Sequence, residues 1–203
     1  MWDFSKSWWD RLRGSHTSAP GILISDCPIY RDSYQQIELS AGLGKIPVGP
    51  NRMIVWIALT PPERKTEGIS DVDLRFFPAV VDTGCNRTLI VTEKQLSLWA
   101  GISIDRLTRT RRPDGKDTDT IRGIPCPIYG AMLSIKKNVP GQRDRLLTGA
   151  DSAWRLALDP GITITPDGLD FPSLPLIGLP VLLQNRLKLF VDGQRRNFMI
   201  HRA

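Results

Sequence analysis

Histidine and paired cysteine are what this chain has least of. It carries two histidines, His16 and His201, and three cysteines, Cys27, Cys85 and Cys126, none of them in a C-x-x-C pair. That scarcity argues against a zinc site and against a disulfide framework, and no metal and no cofactor is expected. Neither histidine sits in a motif that would pair it with a catalytic cysteine. Long apolar runs are also missing: no stretch reaches the ~18 residues of a membrane-spanning helix, so no transmembrane segment is expected. The opening MWDFSKSWWDRLRG holds two Asp and no apolar core, so it does not read as a secretory signal, and a cytoplasmic location follows by default. No internal repeat is visible.

Turn formers are plentiful instead. The 203 residues include 17 Gly and 16 Pro among short apolar runs, which favours a mostly β fold with many turns over a helical bundle. The net charge of +6 is uneven. Residues 1–100 hold 11 Lys+Arg against 11 Asp+Glu, and residues 101–203 hold 16 against 10, so the second half carries the whole excess. Its densest piece is RLTRTRRPDGK, Arg106 to Lys116. Such a loop can bind nucleic acid or acidic peptide. Interspersed Asp and the lack of aromatics among the arginines favour a solvated loop over a nucleic-acid surface.

Two regions follow from the pattern. Residues 1–50 read as an N-terminal extension. It would hold a short amphipathic helix over 1–14 with Trp2, Trp9 and Leu12 on one side, then an irregular Gly/Pro/Ser-rich lead-in with one strand at Gln36–Leu39. Such an extension could also cover a cleft as a pro-segment. Residues 51–203 read as the folded domain. MIVWIAL (53–59) and LRFFPAVV (74–81) form a hairpin, and Thr88–Val91 is a short strand. TEKQLSLWAG (92–101) is a helix with Thr92 as N-cap, Gln95 three residues on and Gly101 as its stop. TIRGIPCPIYGAMLSIKK (120–137) is two strands around a Gly/Pro-rich bend. WRLALDPGITIT (154–165) adds one or two strands. LPLIGLPVLLQNR (174–186) is a strand broken by Gly178 that runs into a short helix, and LKLFVDGQRRNFMI (187–200) is a hairpin turning at Asp192-Gly193. Trp56, Trp99 and Trp154 are core residues.

One stretch asks for more than architecture. In RFFPAVVDTGCNRTLIV, Arg75 to Val91, an apolar strand runs into Asp82-Thr83-Gly84, turns, and leaves on a second apolar strand. The tripeptide alone arises by chance in about one chain of this size in a few dozen. Its setting is costlier, because a buried carboxylate must be matched by hydrogen bonds or by another acid. Either Asp82 caps a structural turn, or it shares a site with a second carboxylate. Only one Asp-Thr-Gly occurs; Asp151-Ser152 is followed by Ala153.

AVVDTGCNRTLIV resembles the catalytic loop of the retropepsin-like aspartic proteases. TIRGIPCPIYGAMLSI resembles their flap hairpin loosely. LPLIGLPVLLQNRLKLFVDG is similar to their second glycine-bearing strand, helix and closing hairpin. The likeness covers about residues 50–200. It departs at Cys85, where the family usually has Ala, and at Pro180, where Asp or Asn is common. Gly178 also follows Asp82 by 96 residues, a longer gap than in compact members. The resemblance implies a closed β-barrel or sandwich with one or two short helices, assembled as a two-fold homodimer, and a peptide or protein substrate.

It also implies roles. Asp82 from each of two subunits would form the catalytic pair, with Thr83 bracing the partner loop and Gly84 letting the substrate backbone approach. Cys85, Asn86, Gly123, Ile124 and Gly178 would be substrate-binding, with Gly123 and Gly130 bracketing a flap and Gly178 passing behind the catalytic loop. Cys85 could act as a redox brake, although a small residue filling the place of Ala is the simpler role. A catalytically silent dimerisation or binding module stays open as the alternative.

Overall fold

A computed structural model describes residues 22–30, 35–39, 44–62, 74–137, 154–169 and 171–202. The Trp-rich helix expected at 1–14 lies outside them, as do most of the polar connection TPPERKTEGISD at 60–71 and the stretch 138–152. The described chain is mostly β. In order it forms β1 (Ile22–Pro28), β2 (Gln35–Glu38), β3 (Lys45–Val48), β4 (Ile54–Thr60), β5 (Phe77–Asp82) and β6 (Leu89–Thr92). After a helical turn at Gln95–Trp99 come β7 (Thr118–Ile121), β8 (Ile124–Tyr129), β9 (Met132–Lys137), β10 (Trp154–Leu156) and β11 (Ile162–Thr165). β12 (Leu176–Gly178), helix α1 (Leu179–Gln184), β13 (Leu187–Asp192) and β14 (Asn197–Arg202) complete it. No helix among the described residues is long and apolar enough to cross a membrane.

Nine strands make one sheet in the order β10-β9-β4-β5-β12-β6-β11-β8-β7. The expected closed barrel is not formed. β10 and β7 remain the two edges of this sheet, and the terminal strands join a separate one in the order β1-β14-β13. The N-terminal segment belongs to that second sheet: β1 pairs antiparallel with β14, from Ile22 opposite His201 to Pro28 opposite Asn197. The described part of residues 15–50 is therefore not an irregular lead-in. Cys27 is fully buried in the main core, and β2 and β3 pair with each other.

Continuous apolar runs arise where both faces of the sheet are covered. In β4, Val55, Ile57 and Leu59 face the main core, which also holds Phe198, Ile200 and Leu187 of the small sheet. Ile54, Trp56 and Ala58 face a second cluster with Ile37, Val48 and Tyr30. β4 and β5 form the expected hairpin, from Ile54 opposite Val80 to Ile57 opposite Phe77. Trp56 is buried and Trp99 half-buried, tilted against Phe77 at 6.2 Å between ring centroids. Trp154 opens β10; its side chain is outside the described set.

The expected helix at 92–101 is present as a short helical segment with a wide, π-type turn. Its capping box is reciprocal: Gln95 N donates to Thr92 Oγ1 at 3.0 Å and Thr92 N donates to Gln95 Oε1 at 3.0 Å. Gly101 ends it at φ +67°. The segment 120–137 contributes three strands rather than two. β7 and β8 make one hairpin whose tip is Arg122-Gly123, at φ 50° and 80°, and β9 leaves to pair with β4. Gly130 lies at the base of β8, where its N–H donates to Thr108 O, so it does not bracket the tip. The two prolines of β8 are tolerated because Ile128 N donates to Asp117 O. Even-numbered N–H groups thus face β7, and Pro125 and Pro127 point their imide nitrogens away from it. The last hairpin turns over residues 193–196, where Arg195 N donates to Asp192 Oδ1 at 2.9 Å and Arg196 supplies the left-handed residue at φ 54°.

Candidate functional site

The sheet order positions Asp82. β5 and β6 are consecutive in sequence yet do not pair. β12 inserts between them, parallel to β5 and antiparallel to β6, and β11 lies parallel to β6 on the far side. The turn from Thr83 to Thr88 must therefore climb over the end of β12. Gly178 stands opposite Asp82 in the register. Its N–H donates to Thr88 O at 2.9 Å, and Leu179 N donates to Cys85 O at 2.9 Å. A Cβ at Gly178 would run into the Arg87 carbonyl oxygen and stand 2.6 Å from Cys85 O. Only glycine lets the strand pass this close behind the turn. Thr88, buried, hydrogen-bonds Gly161 O and fixes the far end.

Asp82 is half-buried at the end of β5. Its Oδ1 accepts the Gly84 N–H at 2.9 Å, and Cys85 N donates to Asp82 O at 3.1 Å, so the turn is also a local capping turn. Among the described residues no other group hydrogen-bonds the carboxylate, which leaves Oδ2 open. Thr83, Gly84 and Asn86 are exposed, and Cys85 is half-buried. The Cys85 sulfur lies 3.8 Å from Arg87 O. Burial pushes the Cys85 thiol up from its ordinary value, and the nearby Asp82 charge adds to the rise.

Cys85 also packs with Ile121 and Cys126 on the inner face of the β7–β8 hairpin, over Ile90 of β6. Burial raises the Cys126 thiol likewise. The hairpin thus lies beside the turn that holds Asp82. Its tip residues Gly123 and Ile124 are exposed, and no hydrogen bond among the described residues joins them to Asp82. The Arg122 guanidinium sits over the Phe171 ring, 4.4 Å from its centroid.

A buried acid that the sequence did not single out lies beneath this hairpin. Asp119, in β7, has a side chain 4% exposed. Its Oδ1 lies 2.8 Å from Arg87 Nε, an electrostatic approach with the N–H angled off the oxygen. The same Oδ1 accepts from Arg112 Nη1 at 2.6 Å, and Oδ2 accepts from Thr163 Oγ1 of β11 at 2.8 Å. Arg87 Nη1 donates in turn to Asn86 Oδ1 at 2.7 Å. The basic stretch 106–116 is ordered by these carboxylates: Arg112 is held by Asp119, and Arg109 lies 3.4 Å from Asp117 and over the Tyr129 ring. Among the described residues no group of three or more His, Cys, Asp or Glu is placed to hold a metal ion.

Comparison with protein-family models, with curated proteins and with solved structures finds no match to this chain.

Proposed function

We propose that this protein is an aspartic endopeptidase of the retropepsin-like kind, in which two copies of the chain each contribute Asp82. The observation that carries the reading is the pair Asp82 and Gly178: a half-buried carboxylate with one open oxygen, set on a turn that a glycine strand supports from behind. A turn built only for capping needs Oδ1 alone.

One chain has one such acid, and peptide hydrolysis by this chemistry needs two. A two-fold axis beside the exposed Thr83-Gly84 would bring the two Asp82 side chains together. Carboxylates about 3 Å apart cannot both ionise, so they share one proton. The ionised member takes a proton from a water as it attacks the scissile carbonyl. The protonated member donates to the carbonyl oxygen. The tetrahedral intermediate collapses when a proton passes to the leaving amine and the C–N bond breaks. The pair titrates as a unit, so the pH–rate profile is bell-shaped. Asn86 and the β7–β8 hairpin flank the turn where an extended peptide would lie.

The capping bond from Gly84 N to Asp82 Oδ1 favours one other reading, a silent dimerisation or binding module that keeps the turn for its shape. Cleavage of a diverse peptide mixture from pH 3.5 to 7.5 separates the two, with Asp82→Asn in parallel. Cutting that peaks in mildly acid buffer and falls at least a thousandfold in the variant is expected. A folded dimer that cuts nothing at any pH would leave the binding module.

A further inference from the structure

The Asp82 turn and the β7–β8 hairpin belong to distant parts of the sheet order, yet one buried acid touches both. We propose that Asp119 is a positioning residue that couples the hairpin to the turn and, through Arg87, fixes which face of Asn86 is offered to a bound peptide. The step to substrate rests on the peptidase reading above; the coupling does not.

Asp119 offers only acceptors: Arg112 and Thr163 donate hydrogen bonds to it and the Arg87 guanidinium meets it as an ion pair, so three separate segments converge on one carboxylate. Arg87 belongs to the turn after Asp82, Arg112 to the loop before β7, and Thr163 to β11. Side-chain entropy alone would let Arg87 wander at the surface. The buried Asp119 charge pulls it inward, and its stem then crosses from the turn to the hairpin. Arg87 has donors and no acceptor. Asn86 can answer Arg87 Nη1 only with its carbonyl oxygen, as the 2.7 Å contact requires. The amide Nδ2, with two N–H groups, is the part left over, and Asn86 is exposed. The side chain is thereby set as a donor, matched to a backbone carbonyl of an extended peptide. It would repel a substrate group that can only donate.

Two variants separate coupling from general damage. Asp119→Asn removes the charge that both arginines share. Arg87→Met cuts only the strut to the turn and leaves Asp119 held by Arg112 and Thr163. Amide hydrogen exchange read by mass spectrometry on the full chain reports the coupling without any catalysis. Asp119→Asn is expected to speed exchange at least tenfold in both 83–88 and 118–128. Arg87→Met is expected to do so in 83–88 alone, with an unchanged melting temperature for the rest of the fold. In peptide cleavage, Arg87→Met should raise KM about tenfold while the pH limbs of kcat stay where the carboxylate pair sets them. Arg87→Lys, which keeps a donor, should recover part of that loss.

Exchange in 83–88 that does not change in either variant overturns the coupling, whatever the protein cleaves. Faster exchange in the two variants, together with a wild type that cuts no peptide, keeps the coupling and removes the peptidase reading. An Arg87→Met enzyme whose kcat falls with KM unchanged overturns the role given to Asn86.

Discussion

Gly178 is the residue on which the candidate site depends most directly, because the atoms facing it are backbone. Arg87 O and Cys85 O cannot rotate away from an added methyl group. Gly178→Ala should therefore cost about 3 kcal/mol, the upper range for forcing an extra carbon into a packed site. Urea unfolding reads this directly, and a loss under about 0.5 kcal/mol would mean that the turn floats free of β12. Cys85 gives a pH-dependent reading of the same turn. Its thiol titrates above the ordinary range because it is buried and faces the Asp82 charge. Alkylation by iodoacetamide should then rise only at more alkaline pH than for a free cysteine. Asp82→Asn removes the charge contribution, so the midpoint should move down in pH while burial keeps it above that of free thiol. A midpoint unmoved by the substitution would place the Asp82 charge away from the sulfur. At this scale the chain was readable where chemistry and spacing coincide. Asp82, Gly178 and the pair Thr92 and Gln95 each sit in an apolar or capping context that marks them. Asp119 was not readable. It stands in DTDTIRG among polar neighbours, and nothing local says that two arginines from before it, Arg87 and Arg112, and Thr163 from after it close over it.

Elements were readable where one alternation decides them and obscure where pairing does. The β4–β5 hairpin and the strand-to-helix passage at Gly178 follow from apolar runs and turn residues. The strand β8 does not, because two prolines in IPCPIY look like a bend. Only the pairing shows that both imide nitrogens face away from the β7 ladder. The short helix after β6 is also held by more than its cap. Gln95 Nε2 donates to Pro172 O at 2.9 Å and Ser173 O at 3.1 Å, tying the helix to the segment that leads into β12. Gln95→Ala would leave these carbonyls and the Thr92 N–H without their partner in a buried place. A loss of about 2 kcal/mol is expected, and Thr92→Ala, which spares the two carbonyl contacts, should cost about half as much. Equal losses in thermal denaturation would assign the whole effect to the cap.

The whole molecule differs from its sequence-level outline mainly at its ends. An N-terminal extension with an irregular lead-in and a closed barrel or sandwich were expected, and the described strands give no closed barrel but an open nine-stranded sheet, with β1 completing a second sheet through β14. Strand pairing between residues this far apart leaves no local signature, since Ile22–Pro28 carries a Ser-Asp-Cys interruption rather than a clean alternation. Deleting residues 1–28 should bare the edge of β14 and the pocket around Cys27. A fall in Tm on the order of 10 °C is expected for several kcal/mol lost in a chain of this size. A truncated protein with unchanged Tm and higher peptidase activity would make the segment a detachable cover instead.

The insertion of β12 between β5 and β6 has a consequence in time. A ribosome delivers the Asp82 turn 96 residues before it delivers Gly178. Until then β5 and β6 face an empty slot, and the turn has no floor beneath it. The acid is thus made early and mounted late. While translation runs from one to the other, Asp82 is present without the strand that supports its turn, so the candidate site can assemble only after β12 has been made.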